Sequence, residues 1–460
     1  MSGINIKNSV FIKKILFAAA FLLTILLAAC EEDHTHTPGP AATCTSPQIC
    51  TNCNAELSSA LGHKFSSTIL TLPKSDTVHG TERLDCTVCN YYNIIDLPPT
   101  YHLEYYLYNE NNAGNKYSVA IGSAKDDRII IPETYDGYPI TAIRNEGFKG
   151  RFSLSSIYFP DTSKNTDNPA GYFLSIGDGA FYGCVELKSI ILPKTVNYIG
   201  KEAFLGCSNI LEMEIPNDVK IFDDRVFYTC TKLAKINIPT GVTKIGSETF
   251  YHCNKLTEID IPESVTSIGR EAFSYCKSLT SIIIPNSVTY IGAGAFSYCD
   301  NLANAVISDN EKFTIIPAAM FKECPLLKDI SIPENIKKID NYAFEYCKSL
   351  ESIIIPNSIT HIGASAFYGC TSLTEVTIGS GIQVIGASAF SGCVSLVSLT
   401  VLSENPNITW HDVNILDDTH KDLKIYVLDD KVDMYKNAGY WSDFSDRIMP
   451  ISQKEAEEED

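Results

Sequence analysis

The sequence predicts a repeat solenoid, and two observations carry that expectation. From Cys184 the cysteines fall at 184, 207, 230, 253, 276 and 299, a constant step of 23 residues. After one step of 25 to Cys324 the series resumes at 347, 370 and 393. A phenylalanine precedes each of these ten by three residues, from Phe181 to Phe390. A fixed period of roughly 20–30 residues is the signature of stacked units, none of which buries its apolar face alone. Phe148, within Asn145-Glu146-Gly147-Phe148, starts the phenylalanine series without its cysteine.

One unit shows the logic. Leu279, Ile282 and Ile284 follow an L-x-x-L-x-L spacing, and the β-branched run around them suits a short strand. Pro285, with no N–H for a ladder, ends that strand. Val288 and Ile291 turn inward again, and Gly292 is expected to permit a tight bend. Ala295, Phe296 and Cys299 have the spacing of one side of a short helical turn, which points them at the core. The expected fold is therefore a leucine-rich repeat horseshoe of about 23-residue units, with short parallel strands and short helical turns.

Ahead of the repeats the chain is organised for export. Lys7, Lys13 and Lys14 form a basic start, and Ile15 to Ala29 carries no charge. That run is too short and wrongly flanked for a membrane span, so residues 1–29 are expected to be a signal peptide. It ends in Leu27-Ala28-Ala29-Cys30, which looks like a bacterial lipobox. Cys30 is the expected lipidation site, tethering the chain to a membrane it does not cross. Residues 30–43 read as a flexible linker: Glu31, Glu32 and Asp33, then Pro38, Gly39 and Pro40. The acidic triplet resembles a surface-export signal of some Gram-negative lineages and is equally a solvated linker. The predicted location is the bacterial envelope, outer membrane and surface-exposed.

Residues 44–92 form a small Cys-rich, zinc-ribbon-like module. Cys50-x-x-Cys53 and Cys86-x-x-Cys89 are separated by 32 residues, with Cys44 and His63 nearby. Two such knuckles suit one tetrahedral zinc, and an exported chain also allows disulfides, so structural zinc and disulfides both stay open. Four thiolates leave no place for a catalytic water, and no HExxH is present.

The repeat unit closely resembles the BspA-type, or Treponema pallidum-type, leucine-rich repeat. The likeness is carried by Ile353-Ile354-Ile355-Pro356-Asn357-Ser358-Ile359-Thr360-His361-Ile362-Gly363 followed by Ala366-Phe367. It implies an N-terminal cap over 93–146, repeats over 147–400, a C-terminal cap over 401–452 and an acidic tail over 453–460. Three departures should bulge or kink the stack: a polar insertion over 161–173, Asp223-Asp224 where glycine is usual, and two extra residues in the 302–326 unit. The resemblance implies adhesion, with host matrix proteins or other bacteria as partners.

Composition narrows the function further. Apolar residues make up 45% and charged residues 20%, a globular balance. The net charge of −19 argues against nucleic acid, which needs clustered Lys and Arg. No G-x-S-x-G, P-loop or paired-carboxylate signature occurs, so no enzyme is expected. The ten repeat cysteines are expected to be a buried ladder of small apolar groups; redox sensing or metal storage are the sharper alternatives. The third and fifth residues of each unit should point outward from the strand. There Glu212, Glu214, Glu258 and Asp260 form an acidic patch broken by Lys235, and Ile283, Val306 and Ile354 an apolar stripe. These seven residues are the expected partner-binding face. The patch suits a basic partner or Ca²⁺, or serves solubility alone. A glycan-binding protein or an envelope scaffold is the alternative, since 24 tyrosines but only Trp410 and Trp441 are available to stack on sugars.

Overall fold

The structure is a computed structural model and describes residues 48–49, 56–58, 65–71, 80–86, 92–108, 115–159, 174–406, 408–410 and 415–458. Two compact units divide the chain, the first ending at Leu97 and the second holding residues from Pro98 to the C-terminus. In the first, Phe65–Thr71, Gly80–Cys86 and Tyr92–Leu97 make a three-stranded antiparallel sheet. The signal and linker residues 1–43, with Cys30, lie outside the described residues, as do Cys50, Cys53 and Cys89. Cys86 ends the strand Gly80–Cys86.

The second unit is the predicted solenoid. It opens with an antiparallel pair, Glu104–Tyr108 with Lys116–Ala120, and every later strand pairing but Thr134–Tyr135 with Tyr138–Ile143 is parallel. Each turn of the chain presents a first strand, a second strand and a run of tight turns. On the first strand face Ser281–Ile284 pairs with Asn304–Ile307 residue for residue, Ser281 to Asn304 and Ile284 to Ile307. The side chains of Ser281–Ile284 alternate exposed and buried, the period-two pattern of a strand with one wet face. A second ladder runs through Lys244–Ile245, Ser267–Ile268 and Tyr290–Ile291.

The third side corrects the expectation of helical turns. Among the described residues helices occur only near the C-terminus, including α1 (Val432–Lys436) and α2 (Ile451–Glu458). The Ala-Phe-x-x-Cys segment is instead a ribbon of successive turns. Glu271, Phe273 and Tyr275 donate their N–H groups to Ala293, Ala295 and Ser297 of the next unit. Ser274 and Cys276, between them, reach back three residues to Glu271 and Phe273. Glu271 at φ 52° and Tyr275 at φ 60° reset the chain after each turn. A helix would spend these N–H groups within itself. The ribbon spends half of them on its neighbour, so the third side also binds unit to unit.

The core is a column of rings. Consecutive phenylalanines from Phe148 to Phe390 stack with centroids 5.2–5.8 Å apart and planes within 20°. All ten repeat cysteines are free thiols buried beside it. Each Sγ–H donates to the carbonyl of the preceding unit's phenylalanine, as Cys276 does to Phe250 at 3.3 Å and Cys207 to Phe181 at 3.2 Å. The thiol is small enough for the core and still satisfies a main-chain lone pair, which alanine would not. Burial pushes the thiols of Cys184, Cys230 and Cys393 up to about 12. Thiolate is the reactive form, so these groups stay protonated and inert near neutral pH. Iodoacetamide at pH 8 should leave the ten repeat cysteines unlabelled in native protein and label all ten in urea, read by peptide mass spectrometry. Rapid native labelling of most of them would contradict the ladder.

Gly292 also acts differently from expectation. A Cβ at this position would meet the Arg270 backbone nitrogen at 2.3 Å and its Cα at 2.6 Å. The glycine thus permits close approach of two units rather than a bend. Gly246 and Gly269 hold the same place with the same crowding. The second ladder breaks between Val196–Ile199 and Ile221–Phe222, where Asp223 replaces this glycine, and between Tyr290–Ile291 and Ile315–Ile316. The latter break precedes Pro317, which takes the glycine's place without an N–H and lies in the unit with two extra residues. Two of the three expected departures therefore coincide with lapses in the ladder, and the insertion over 161–173 lies outside the described residues. Asp340 takes the same place and keeps its bond to Ile316, so the unit beneath matters too.

Candidate functional site

The first strand face carries the expected partner-binding residues, and all of them are solvent-exposed. Ile283 is 65%, Val306 52% and Ile354 69% exposed, and Glu212, Glu214, Glu258 and Asp260 are exposed as well. Ile283 and Val306 are direct cross-strand partners, whereas Ile354 lies two units further on. Glu212 pairs with Lys235 across the strands Glu212–Met213 and Lys235–Ile236. Glu258 and Asp260 sit where no strand forms among the described residues, so the acidic group spans a lapse in the first ladder.

A groove of about 1150 Å³ opens on this face between Phe159 and Asn237. Ile191, Pro193, Met213 and Pro216 give it apolar walls, and Glu212, Glu214, Lys194 and Lys235 line it with charge. Ile191 is 82% exposed, an unusual setting for a β-branched apolar side chain with no partner over it. Asn237 shapes the groove by bonding both ways to one residue of the adjacent unit. Its Oδ1 accepts from the Ile215 N–H at 2.7 Å, and its amide donates to the Ile215 carbonyl at 3.0 Å. Those bonds stand in for main-chain pairing and hold the two units together beneath the open cleft. Ile191 was on the fifth-position row of the sequence; Lys194 follows Pro193 and carries no periodic signal.

Charge is handled differently elsewhere. On the turn side Arg225 bridges Glu202 at 3.5 Å and Glu248 at 3.0 Å, Lys322 meets Glu345 at 2.5 Å, and Lys277 meets Asp300 at 3.1 Å. Among the described residues, Glu212, Glu214, Lys194 and Lys235 form no ion pair. Exposed pairs of this kind add little stability.

Aromatic rings on the turn side are spent on one another. His252 stacks on Tyr275 at 4.3 Å, Tyr275 on Tyr298 at 4.4 Å, and Tyr228 on Tyr251 at 4.8 Å. Sugar stacking needs open ring faces, which such a ladder covers. Trp441 is buried against Tyr435 in the closing segment. Open rings lie elsewhere: Tyr290 is 58% and Tyr198 44% exposed on the second strands.

The far end of the first face is occupied by the chain itself. α2 packs on Lys424–Val427 and Ile448–Pro450. Its Lys454 forms an ion pair with Glu375 and lies 3.4 Å from the Thr400 hydroxyl. Residues expected to be an acidic tail thus begin as a helix seated on the strand face. No helix of the described residues is long and apolar enough to cross a membrane.

The profile of the BspA type leucine rich repeat region matches in six copies over residues 174–303 and 295–411, more than half of the 460 residues. The chain belongs to the BspA-type leucine-rich repeat family. A leucine rich cell surface protein from Faecalibacterium prausnitzii is similar at 28% identity and a TM-score of 0.50, covering 71% of this chain and 87% of that one. A leucine-rich repeat protein from Bacteroides ovatus matches at 24% identity and a TM-score of 0.42, covering 71% and 98%. The T. pallidum leucine rich repeat protein matches at 22% identity and a TM-score of 0.32, covering 60% and 89%. No curated protein matches.

Proposed function

We propose that this BspA-type protein is a non-enzymatic scaffold, lipid-anchored through Cys30 on the bacterial surface, that binds other proteins through its first strand face. The observation that carries the reading is the run of exposed Ile191, Ile283, Val306 and Ile354 beside carboxylates and lysines without ion pairs. An apolar patch with a polar rim is the usual composition of a protein interface. Host extracellular matrix proteins or proteins of other bacteria are the partners that the family suggests. The surface location is supported by the exported, lipobox-like start of the sequence and by the F. prausnitzii relative, itself a cell surface protein. Zinc held by Cys50, Cys53, Cys86 and Cys89 belongs to the same reading of the N-terminal module.

Protease shaving of intact cells tests the location, and pulldown with the mature chain tests binding. Repeat peptides should be released by shaving; their protection would remove the adhesin reading. Replacing Glu214→Lys and Asp260→Lys together should slow association with a basic partner severalfold, about 3–10-fold at low salt, with little change in dissociation. Unchanged association would discard these two positions as contacts.

A further inference from the structure

The chain itself shows how a segment can sit on the first strand face. α2 lies across the last units, and its Lys454 is paired with Glu375 beside Thr400. Glu375 is the third residue of its unit, and Glu212 is the third residue of its own, at the mouth of the Ile191 groove. The two carboxylates therefore hold equivalent places on one face, one paired with a lysine of the chain while still 43% exposed and one without an ion pair among the described residues. The geometry of a helix explains the fit. Units stack at about 4.8 Å, while a helix advances about 4.5–6 Å over three or four residues. A helix lying along the stack thus offers one side chain to each successive unit. In the groove those units present Ile191 with Lys194 after Pro193, then Glu212 with Glu214, then Lys235; along the strand positions the order is apolar, acidic, basic.

We propose that this groove seats a helix of a partner protein lying along the stack. It presents an apolar side chain to Ile191, a lysine or arginine to Glu212 and Glu214, and a carboxylate to Lys235, at three- or four-residue spacing. The charge order of the partner is the complement of the order in the groove, and the groove charges have no ion pairs of their own among the described residues to compete. This assignment rests on the reading that the first strand face binds protein, and it specifies the partner.

The test uses the full chain and two fluorescent alanine-based helical peptides. One carries Leu, Lys and Glu at four-residue spacing, and the other carries Leu, Glu and Lys. Fluorescence anisotropy is followed with protein up to about 1 mM, enough to detect millimolar binding. Wild type should favour the Leu-Lys-Glu order by about tenfold, a difference of about 1.4 kcal/mol. The triple variant Glu212→Lys, Glu214→Lys, Lys235→Glu should reverse that preference. All three residues are surface-exposed, and circular dichroism checks that the variant folds. Equal binding of both orders, no binding of either, or an unreversed preference in the variant would overturn the inference. Continued capture of surface proteins by wild type in the pulldown would then show that only the helix assignment, and not the protein-binding reading, had failed.

Discussion

Replacing Phe296→Ala should destabilise the solenoid by about 3–5 kcal/mol, the cost of emptying a large aromatic site in a packed core. Phe296 is fully buried and stacks on Phe273 at 5.3 Å and on Phe321 at 5.8 Å. Truncation removes both ring contacts at once and opens a void between two unit interfaces. In a repeat protein stability is largely the sum of the units and their interfaces, so the loss at this site weakens the coupling to both neighbouring units. The checking measurement is the urea midpoint at constant slope. Phe152→Ala, at a 65% exposed ring, serves as the control and should move stability by less than about 0.5 kcal/mol. If the two substitutions cost the same, the ring column is not the core.

Gly292→Ala should cost about 1–3 kcal/mol, the range for forcing extra atoms into a tightly packed site. The added methyl would be driven against the Arg270 main chain, which has no side-chain rotamer with which to yield. Moving apart would stretch the bond from the Gly292 N–H to the Ile268 carbonyl, now 2.9 Å. The ladder lapses at Asp223 but persists at Asp340, so the outcome at residue 292 turns on the Arg270 main chain beneath it. Hydrogen exchange at residue 292 should accelerate together with the loss of stability. An unchanged midpoint with unchanged exchange would mean the two units tolerate a wider spacing.

The spacing of Phe296 and Cys299, repeated down the chain, was enough to place the core, because one side chain of each kind per unit must stack on its equals. The outward residues Ile283, Val306 and Ile354 were legible for the same reason: alternation along a strand leaves no choice of side. The turn ribbon was not, since Ala-Phe-x-x-Cys has the spacing of a helix as well. Its signal was present but split among units. Gly179, Gly183, Gly206, Gly294, Gly369 and Gly392 all have positive φ, at the places that Glu271 and Tyr275 fill elsewhere. Comparing columns rather than reading one unit would have revealed it. The seat of α2 had no local signal at all, because Lys454 and Glu375 are 79 residues apart and an acidic C-terminus reads as a tail. The groove was half legible: Glu212, Glu214 and Ile191 fell on the outward rows, while Lys194 became part of the site only through the path of the chain after Pro193.

Side-chain footprinting of the complex with a captured partner would test the central claim most directly. Oxidative and carboxyl labelling, read by mass spectrometry, compares free and bound protein residue by residue. Protection should fall on the first strand face, at Ile191, Glu212, Glu214, Ile283 and Val306, and leave Tyr275, Tyr298 and Arg225 on the turn side unchanged. Protection confined to the turn side or to the second strand face would contradict the account.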